Sequence, residues 1–222
     1  MERPMRRWQL TPQVFAALCG QDVVLLDISR DDYLVLAGAG DQIDLDPATG
    51  RLDVADGALA ALLTDAGLIQ PKSKSMARRL RTVPEVRADL FASPTPRPDL
   101  GDRLAFAWVL IEMIPLYWMR PLSRLVRPPK RLSGKDAPQL SEALIHNALV
   151  FERLLVWAPF QGQCLFRAAM LRRFLHRRGL RAAWVFGART WPFAAHCWLQ
   201  VGDVVINDRV DHVARFAPIM VV

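Results

Sequence analysis

The chain lacks the features that mark secreted or membrane-spanning proteins. It has only three cysteines in 222 residues, an odd number that provides no disulfide framework and fits a reducing compartment. Its first residues lead into no continuous apolar stretch, so no secretory signal is expected. The strongly apolar segment Leu104–Met119 is shorter than the roughly 20 residues that span a bilayer, and Glu112 and Pro115 interrupt it. These absences predict a cytoplasmic protein without membrane association and favour a buried helix at this segment. A membrane-surface helix, aided by Arg120, Arg124 and Arg127, is the alternative.

The N-terminal part of the chain also lacks positive charge. Residues 1–75 carry 7 basic and 11 acidic residues, a net charge of −4, whereas residues 76–222 carry 22 and 11, a net charge of +11. An acidic N-terminal part argues against a nucleic-acid-binding module there. The basic remainder is compatible with nucleic acid, an anionic membrane or an acidic peptide, so charge alone selects no partner. A solvated basic face is the simplest interpretation, and nucleic acid is not expected as a partner.

The chain length and an apolar content of 52% allow one large domain or two small ones with packed cores. The segments 23–28 and 33–36 read as a β-hairpin, 42–45 as a third short strand, and 54–63 as a helix that ends at Gly67. A proline-rich stretch, 93–98, reads as an extended linker. The predicted organisation is therefore a domain at 1–80, a linker at 81–99 and a second domain at 100–222.

The second half reads as helices followed by an antiparallel sheet. Apolar spacing predicts helices at 104–119, 139–156 and 164–178, and strands at 182–188, 194–201 and 204–208. This order of elements indicates the α+β class.

Cys164 lies where a polar loop becomes a helix, and a histidine and an aspartate follow in successive strands. A helix N-terminus stabilises a thiolate, which is the nucleophilic form of cysteine. His196 follows 32 residues later and Asp208 a further 12. An imidazole can accept the thiol proton and return it to a leaving amine, and a third group must hold the imidazole in the right tautomer.

The identity of that third group depends on the hairpin that joins the last two strands. A three-residue loop places Asp208 opposite His196, whereas a two-residue loop places it opposite Cys197 and directs Asn207 to the face of the histidine. We therefore favour Asp208, which requires the longer loop or a bulge, and keep Asn207 as the alternate.

The remaining polar residues near Cys164 have smaller expected roles. Gln161 and Gln163 are candidates to stabilise an oxyanion beside the Cys164 N–H. Cys197 is expected to point to the opposite face of its strand, and His212 to be a surface or helix-contact residue. A metal site formed by Cys164, His196 and Cys197 is not expected, because the last two point to opposite faces of their strand. No cofactor is expected either.

The second half resembles the lasso peptide biosynthesis B proteins, leader peptidases with a papain-like or transglutaminase-like cysteine protease domain. The resemblance covers roughly residues 138–222. It rests on five motifs, in order: Gln163-Cys164-Leu165-Phe166-Arg167-Ala168, Leu175-x-x-Arg178-Gly179, Phe193-x-Ala195-His196-x-Trp198, Val205-Ile206-Asn207-Asp208 and Arg215-Phe216-Ala217-Pro218-Ile219. It implies a Cys164–His196–Asp208 triad. Cys197 departs from it, since the family usually has alanine there.

The same resemblance implies a role for the first half of the chain. It is similar to a precursor-recognition domain of winged-helix type, with a three-stranded sheet and helices, where the leader adds as a strand beside a helix. The candidate leader contacts are Tyr33, Leu34, Val35, Leu36, Leu59, Leu62 and Leu63. The implied partners are a lasso precursor peptide and an ATP-dependent, asparagine-synthetase-like cyclase.

Two other functions remain open at this stage. The same site can support acyl transfer, in which an amine rather than water resolves the thioester. Alternatively, the chain is a non-catalytic scaffold that delivers a peptide to a partner.

Overall fold

A computed structural model describes residues 7–71, 79–91, 93–119, 122–126, 138–158 and 163–222. Over these residues the chain is a mixed α/β protein with three β-sheets and six helices. None of the described helices is long and apolar enough to cross a membrane.

The described residues up to 71 form seven strands and one helix. These are β1 (Arg7–Leu10), β2 (Val14–Cys19), β3 (Asp22–Asp27), β4 (Asp32–Leu36), β5 (Ile43–Asp46), β6 (Arg51–Val54), α1 (Gly57–Asp65) and β7 (Ile69–Pro71). They build two sheets, of order β5-β6-β1-β7 and β2-β3-β4. The predicted hairpin is confirmed as β3 and β4, with Leu26 opposite Tyr33. The sequence analysis predicted three strands in this part of the chain, fewer than the seven that the structure shows. The predicted winged-helix arrangement is not confirmed.

The β2-β3-β4 sheet is covered on both faces, which explains why its pattern was hard to interpret. Val23 and Leu25 belong to the core of the N-terminal half, whereas Val24 and Leu26 belong to a core that also contains the C-terminal helices. A strand buried on both faces loses the apolar–polar alternation that identifies strands. The two halves of the chain therefore share a continuous core.

Helix α1 begins three residues later than predicted. Asp56 caps it by accepting a hydrogen bond from the backbone N–H of Ala58 at 2.8 Å, which fixes the start of the helix at Gly57. Val54 instead ends β6 and is buried against the N-terminal core. The predicted helix end is confirmed, since Gly67 has a φ of +73°, a conformation that glycine adopts easily.

The described C-terminal elements combine helices with a five-stranded sheet. They are β8 (Ala88–Asp89), α2 (Leu100–Met119), α3 (Leu122–Leu125), α4 (Glu142–Leu155), α5 (Cys164–Arg177), β9 (Ala183–Arg189), β10 (Ala194–Val201), β11 (Val204–Val205), α6 (Val210–Val213) and β12 (Ala217–Val221). The sheet order is β12-β9-β10-β11-β8. The three long helices and the β9–β10 pair agree with the sequence, whereas β8, α6 and β12 were not predicted.

Part of the predicted linker belongs to the C-terminal sheet. Strand β8 pairs in parallel with β11, and Leu90 is buried in the shared core. Val83 and Val86 pack against a buried cluster that includes Trp198. The division at 81–99 stays a prediction, but this segment has a structural role beyond spacing.

Helix α2 is only half buried, contrary to the expectation of a buried helix. Phe106, Val109 and Met113 face the core, while Trp108 and Ile111 are 53% and 63% exposed. Apolar residues around the whole helix concealed its exposed face in the sequence.

Candidate active site

Cys164 is the first residue of α5, as the sequence predicted. Gln163 precedes it with extended backbone (φ −94°, ψ 116°), and its carbonyl accepts the Arg167 N–H at 3.1 Å, which closes the first turn. The Gln163 side chain makes no capping bond. The first-turn N–H groups and the helix dipole therefore act on a partly buried thiol, where they favour the thiolate.

An ion pair fixes this first turn against the neighbouring helix. Arg167 of α5 contacts Glu152 of α4, with 3.1 Å between Nη2 and Oε2. Burial raises the pKa of Glu152, and the charge of Asp208 adds to the rise, whereas Arg167 opposes it. The Asp208 contribution shows that α4 reaches the same polar region as the site.

His196 lies in β10 within an aromatic setting. Its ring centroid is 6.1 Å from Trp198 and 5.2 Å from Phe216. Directly opposite, in β9, is Gly187, where an added Cβ would lie 2.9 Å from both Trp198 Cζ3 and Phe216 Cβ. The absence of a side chain at Gly187 lets these two rings approach the histidine.

Asp208 contacts His196 directly, with 2.5 Å between Oδ2 and Nε2. A carboxylate only accepts, so Nε2 carries the hydrogen and leaves Nδ1 for the thiol. The hairpin that brings Asp208 to His196 differs from the predicted one. Val201 pairs with Val204, so the hairpin loop has two residues, the case in which Asp208 was expected on the wrong face.

The strand ends early, which corrects the register argument. After Val205 the chain bends, and Ile206 makes the last backbone bond, to Leu199 at 2.9 Å. Asn207 then turns inward and accepts the Leu199 N–H through Oδ1 at 2.7 Å. The alternate assignment of Asn207 as the partner of the histidine is therefore wrong.

The structure adds His212, which was expected only as a surface or helix-contact residue and is in fact exposed on α6. From α6, its Nδ1 lies 3.0 and 3.1 Å from the two Asp208 oxygens, and its ring centroid is 4.6 Å from that of His196. The spacing of four residues from Asp208 was the available signal, but a one-turn helix leaves no periodic pattern.

The electrostatics of the cluster favour a thiolate and an imidazolium. The pKa of Cys164 is lowered to about 4, and the largest cause is a hydrogen bond from the Cys197 side chain. Burial raises this pKa, whereas hydrogen bonds from His196 and the Cys197 N–H lower it further. Burial lowers the pKa of His196, but hydrogen bonds to Asp208 and Cys164 have the larger combined effect and raise the pKa to about 9. Burial raises the pKa of Asp208, yet bonds from His196, Arg209 and His212 bring it to about 2.

Cys197 therefore takes part in the site more closely than alternation predicted. It is 3% exposed and faces the core under α5, but its thiol and its backbone N–H both bond to Cys164. Its own pKa is raised well above the ordinary value, first by the Cys164 bond and then by burial. These opposite directions favour a protonated Cys197 beside a deprotonated Cys164.

The other predicted site residues are distributed as follows. Gln161 lies outside the described residues, and Gln163 is exposed. Tyr33 and Val35 pack on the shared core, whereas Leu36, Leu59 and Leu63 pack in the N-terminal core; Leu34 and Leu62 are 43% and 67% exposed. Strand β4, which carries four of these residues, is an edge strand of its sheet.

Three contacts connect this sheet to the turn before His196, and in the first of them the Thr190 hydroxyl donates to the Cys19 carbonyl at 3.4 Å. Trp191 Nε1 donates to Asp22 Oδ2 at 2.7 Å, and the ring centroids of Tyr33 and Phe193 are 5.6 Å apart, edge to face. Phe193 precedes His196 by three residues. The β4 edge and the histidine are therefore joined through one short hairpin turn.

Among the described residues, His196, Asp208 and His212 bring three potential metal-ligand atoms within 4.8 Å. However, the His196–Asp208 separation of 2.5 Å is shorter than two ligands with bonds of about 2.0–2.2 Å normally keep around one cation. The arrangement is that of a hydrogen-bonded chain.

A cysteine at a helix start, packed against a strand whose histidine contacts a carboxylate, is an arrangement typical of papain-like and transglutaminase-like folds. Residues 107–221 match the transglutaminase-like superfamily, and the chain belongs to it. It is similar to the microcin J25-processing protein McjB of Escherichia coli, with 45% identity over 78 residues. That match covers 35% of this chain and 36% of McjB, so it spans little more than a third of either. No solved structure matches the chain.

Proposed function

We propose that this chain is a cysteine peptidase that cleaves the leader from a lasso peptide precursor. The observation that carries the proposal is the 2.5 Å contact between His196 Nε2 and Asp208 Oδ2, on the strand that packs against the helix beginning at Cys164. The similarity to a protein named for processing microcin J25 supports a peptide as the substrate.

The site supports a two-step hydrolysis. The Cys164 thiolate attacks the carbonyl carbon of the last leader residue, and the imidazolium of His196 gives its proton to the departing amine of the core. This leaves a thioester between Cys164 and the leader. A water molecule, deprotonated by His196, then attacks the thioester, which releases the leader acid and restores the thiolate. Asp208 keeps Nε2 protonated and Nδ1 aimed at the thiol throughout.

The first half of the chain holds the leader in this proposal. Strand β4 is an edge strand, so an extended leader can add to it through main-chain hydrogen bonds. The side chains of Leu34 on β4 and Leu62 on α1 are exposed and are the candidate apolar contacts for the leader. A leader bound there keeps the scissile bond at high effective concentration near Cys164.

The product defines the next reaction. Cleavage frees the amine of the core, and an ATP-dependent, asparagine-synthetase-like cyclase joins that amine to an acidic side chain. This partner follows from the family resemblance, as does the cytoplasm as the place of reaction.

The first test uses the full-length chain and a precursor identified as a short reading frame beside a cyclase frame. We expect Cys164→Ala to abolish cleavage, measured by mass spectrometry, and to leave leader binding unchanged, measured by fluorescence anisotropy. Cys19→Ser is the matched control, because Cys19 lies in β2 and its thiol donates to the Ala188 carbonyl at 3.4 Å, away from His196 and Asp208. Cleavage by Cys164→Ala at the wild-type rate would exclude Cys164 as the nucleophile.

A second test addresses the carboxylate. We expect Asp208→Asn to lower kcat by about 10²–10⁴-fold, the range that positioned proton transfer contributes. Asp211→Asn removes an exposed carboxylate three residues away and is expected to keep wild-type activity. Equal activities of the two variants would exclude Asp208 as the group that orients His196.

Acyl transfer is the second candidate, and membership of the transglutaminase-like superfamily favours keeping it. Product masses separate the two reactions: hydrolysis yields two free fragments, whereas transfer to an added amine yields a conjugate of the leader. A scaffold without catalysis predicts that Cys164 is not alkylated by iodoacetamide at neutral pH.

A further inference from the structure

Asp208 lies between two imidazoles, and only one of them belongs to the proposed Cys–His–Asp set. His196 approaches Oδ2 at 2.5 Å, the Arg209 N–H approaches Oδ1 at 2.7 Å, and His212 Nδ1 lies 3.0–3.1 Å from both oxygens. Since the carboxylate only accepts, His212 Nδ1 must be a donor. It is placed to bond either oxygen, and thus to resist rotation of the carboxylate.

The position of His212 is built into the fold. Helix α6 begins where the Val210 N–H donates to Asp89 Oδ2 at 2.9 Å, from the strand that lines the sheet edge. At its other end, Val213 is 1% exposed and anchors the helix in the cluster around Trp198. The carboxylate and its second imidazole are therefore brought together by contacts on both sides of α6.

His212 also shields the side chains of His196 and Asp208 from solvent. Its ring is 46% exposed, while the side chains of His196 and Asp208 are 12% and 19% exposed. Its ring contacts His196 at 4.6 Å and Phe216 at 5.5 Å, edge to face with the latter. Two roles thus need to be separated: the hydrogen bond to Asp208, and the cover over His196.

We propose that His212 is a positioning residue that holds the Asp208 carboxylate in line with His196 Nε2 through its Nδ1 hydrogen bond. This inference rests on the proposed peptidase function. Without this bond the carboxylate keeps the Arg209 N–H on one oxygen and gains freedom to turn its other oxygen away from His196. The imidazolium then spends less time with Nδ1 aimed at the thiol, which slows chemistry but leaves substrate binding intact.

Two variants separate the hydrogen bond from the cover. In His212→Asn the side-chain amide nitrogen replaces Nδ1 as a donor, although the ring is lost; in His212→Phe the ring remains but the donor is lost. We expect His212→Phe to lower kcat about tenfold, part of the effect of positioned proton transfer, with KM unchanged. We expect His212→Asn to recover most of that loss. The reverse ranking, or wild-type kcat in both variants, overturns the proposal.

A second readout does not depend on the substrate. The proton between His196 Nε2 and Asp208 Oδ2 should give a downfield NMR resonance in wild type and in His212→Asn, and should broaden in His212→Phe as the carboxylate becomes mobile. If wild type cleaves no precursor but this pattern holds, the proposed function fails and the role of His212 stands. An identical resonance in all three proteins refutes the role of His212 alone.

Discussion

The two halves of the chain differ in how they bury their elements. The C-terminal half places its long helices on one face of a sheet, with Cys197 and Leu199 in the core, and its helices α4 and α5 carry apolar stripes. The N-terminal half places the β2-β3-β4 sheet between two cores. Amphipathic helices leave a readable period in the sequence, whereas strands buried on both faces lose their alternation; this holds for β3 and also for β9, where Val185 and Phe186 lie in different buried clusters. The halves also differ in charge, −4 against +11 for residues 1–75 and 76–222.

In the proposed function, the C-terminal half performs the chemistry and the N-terminal half recognises the leader. Perturbation of the C-terminal cluster should change kcat and pH dependence, whereas perturbation of the β4 edge should change KM. The shared core means that the N-terminal half cannot be assumed to fold alone, so each experiment uses the full chain.

The largest expected effect is on pH dependence, which belongs to the C-terminal half. The pKa of Cys164 is lowered to about 4, so the thiolate is lost as pH falls through that value. The pKa of His196 is raised to about 9, so the imidazolium is lost as pH rises through it. The plot of kcat/KM against pH should be bell-shaped between these limits and fall about tenfold per unit beyond each limit.

Removing the Asp208 charge should narrow the pH range of activity by lowering its upper limit. Asp208→Asn takes away the bond that raises the pKa of His196, so the alkaline limb should move to lower pH. A profile whose limbs do not move in this variant contradicts the pairing of His196 with Asp208.

The next effect tests packing opposite the histidine. Gly187→Ala places a methyl group 2.9 Å from Phe216 Cβ and Trp198 Cζ3, so we expect a loss of about 1–3 kcal/mol in the free energy of unfolding, measured by urea denaturation. Gly57→Ala in the N-terminal half is the matched control: nothing lies within 4 Å, and stability should not decrease. Equal stability of the two variants refutes the close approach of the rings at Gly187.

The sequence predicted the C-terminal site from chemistry more reliably than from geometry. Cys164 and His196 were found from a thiol at a helix start and a histidine in a strand. Asp208 was favoured on the assumption of a long loop, but the loop is short and the strand simply ends at Val205. Register arithmetic holds only while a ladder continues, so it could predict neither this bend nor His212 on a one-turn helix.

The third prediction tests recognition by the N-terminal half. Leu62→Ser removes an exposed leucine of α1 that is a candidate leader contact, and we expect KM for the precursor to rise about tenfold, as loss of one leucine contact of about 1.4 kcal/mol implies, with kcat unchanged. Leu104→Ser on α2 is the control, since Leu104 has a similar exposed fraction, 63% against 67%. A fall in kcat with constant KM in Leu62→Ser would place this surface in the chemistry instead.

The smallest expected effect concerns Cys197, where the resembling family usually has alanine. Cys197→Ala removes the side-chain bond that most lowers the pKa of Cys164, but it keeps the Cys197 N–H and the contact with His196. The pH midpoint of Cys164 alkylation by iodoacetamide should therefore rise, yet remain below the ordinary thiol value of 9.0. Cleavage at pH 7 should change by less than about threefold, because the thiolate still predominates there. A midpoint equal to that of wild type would show that the helix terminus and His196 alone create the thiolate, and that the thiol of Cys197 serves packing.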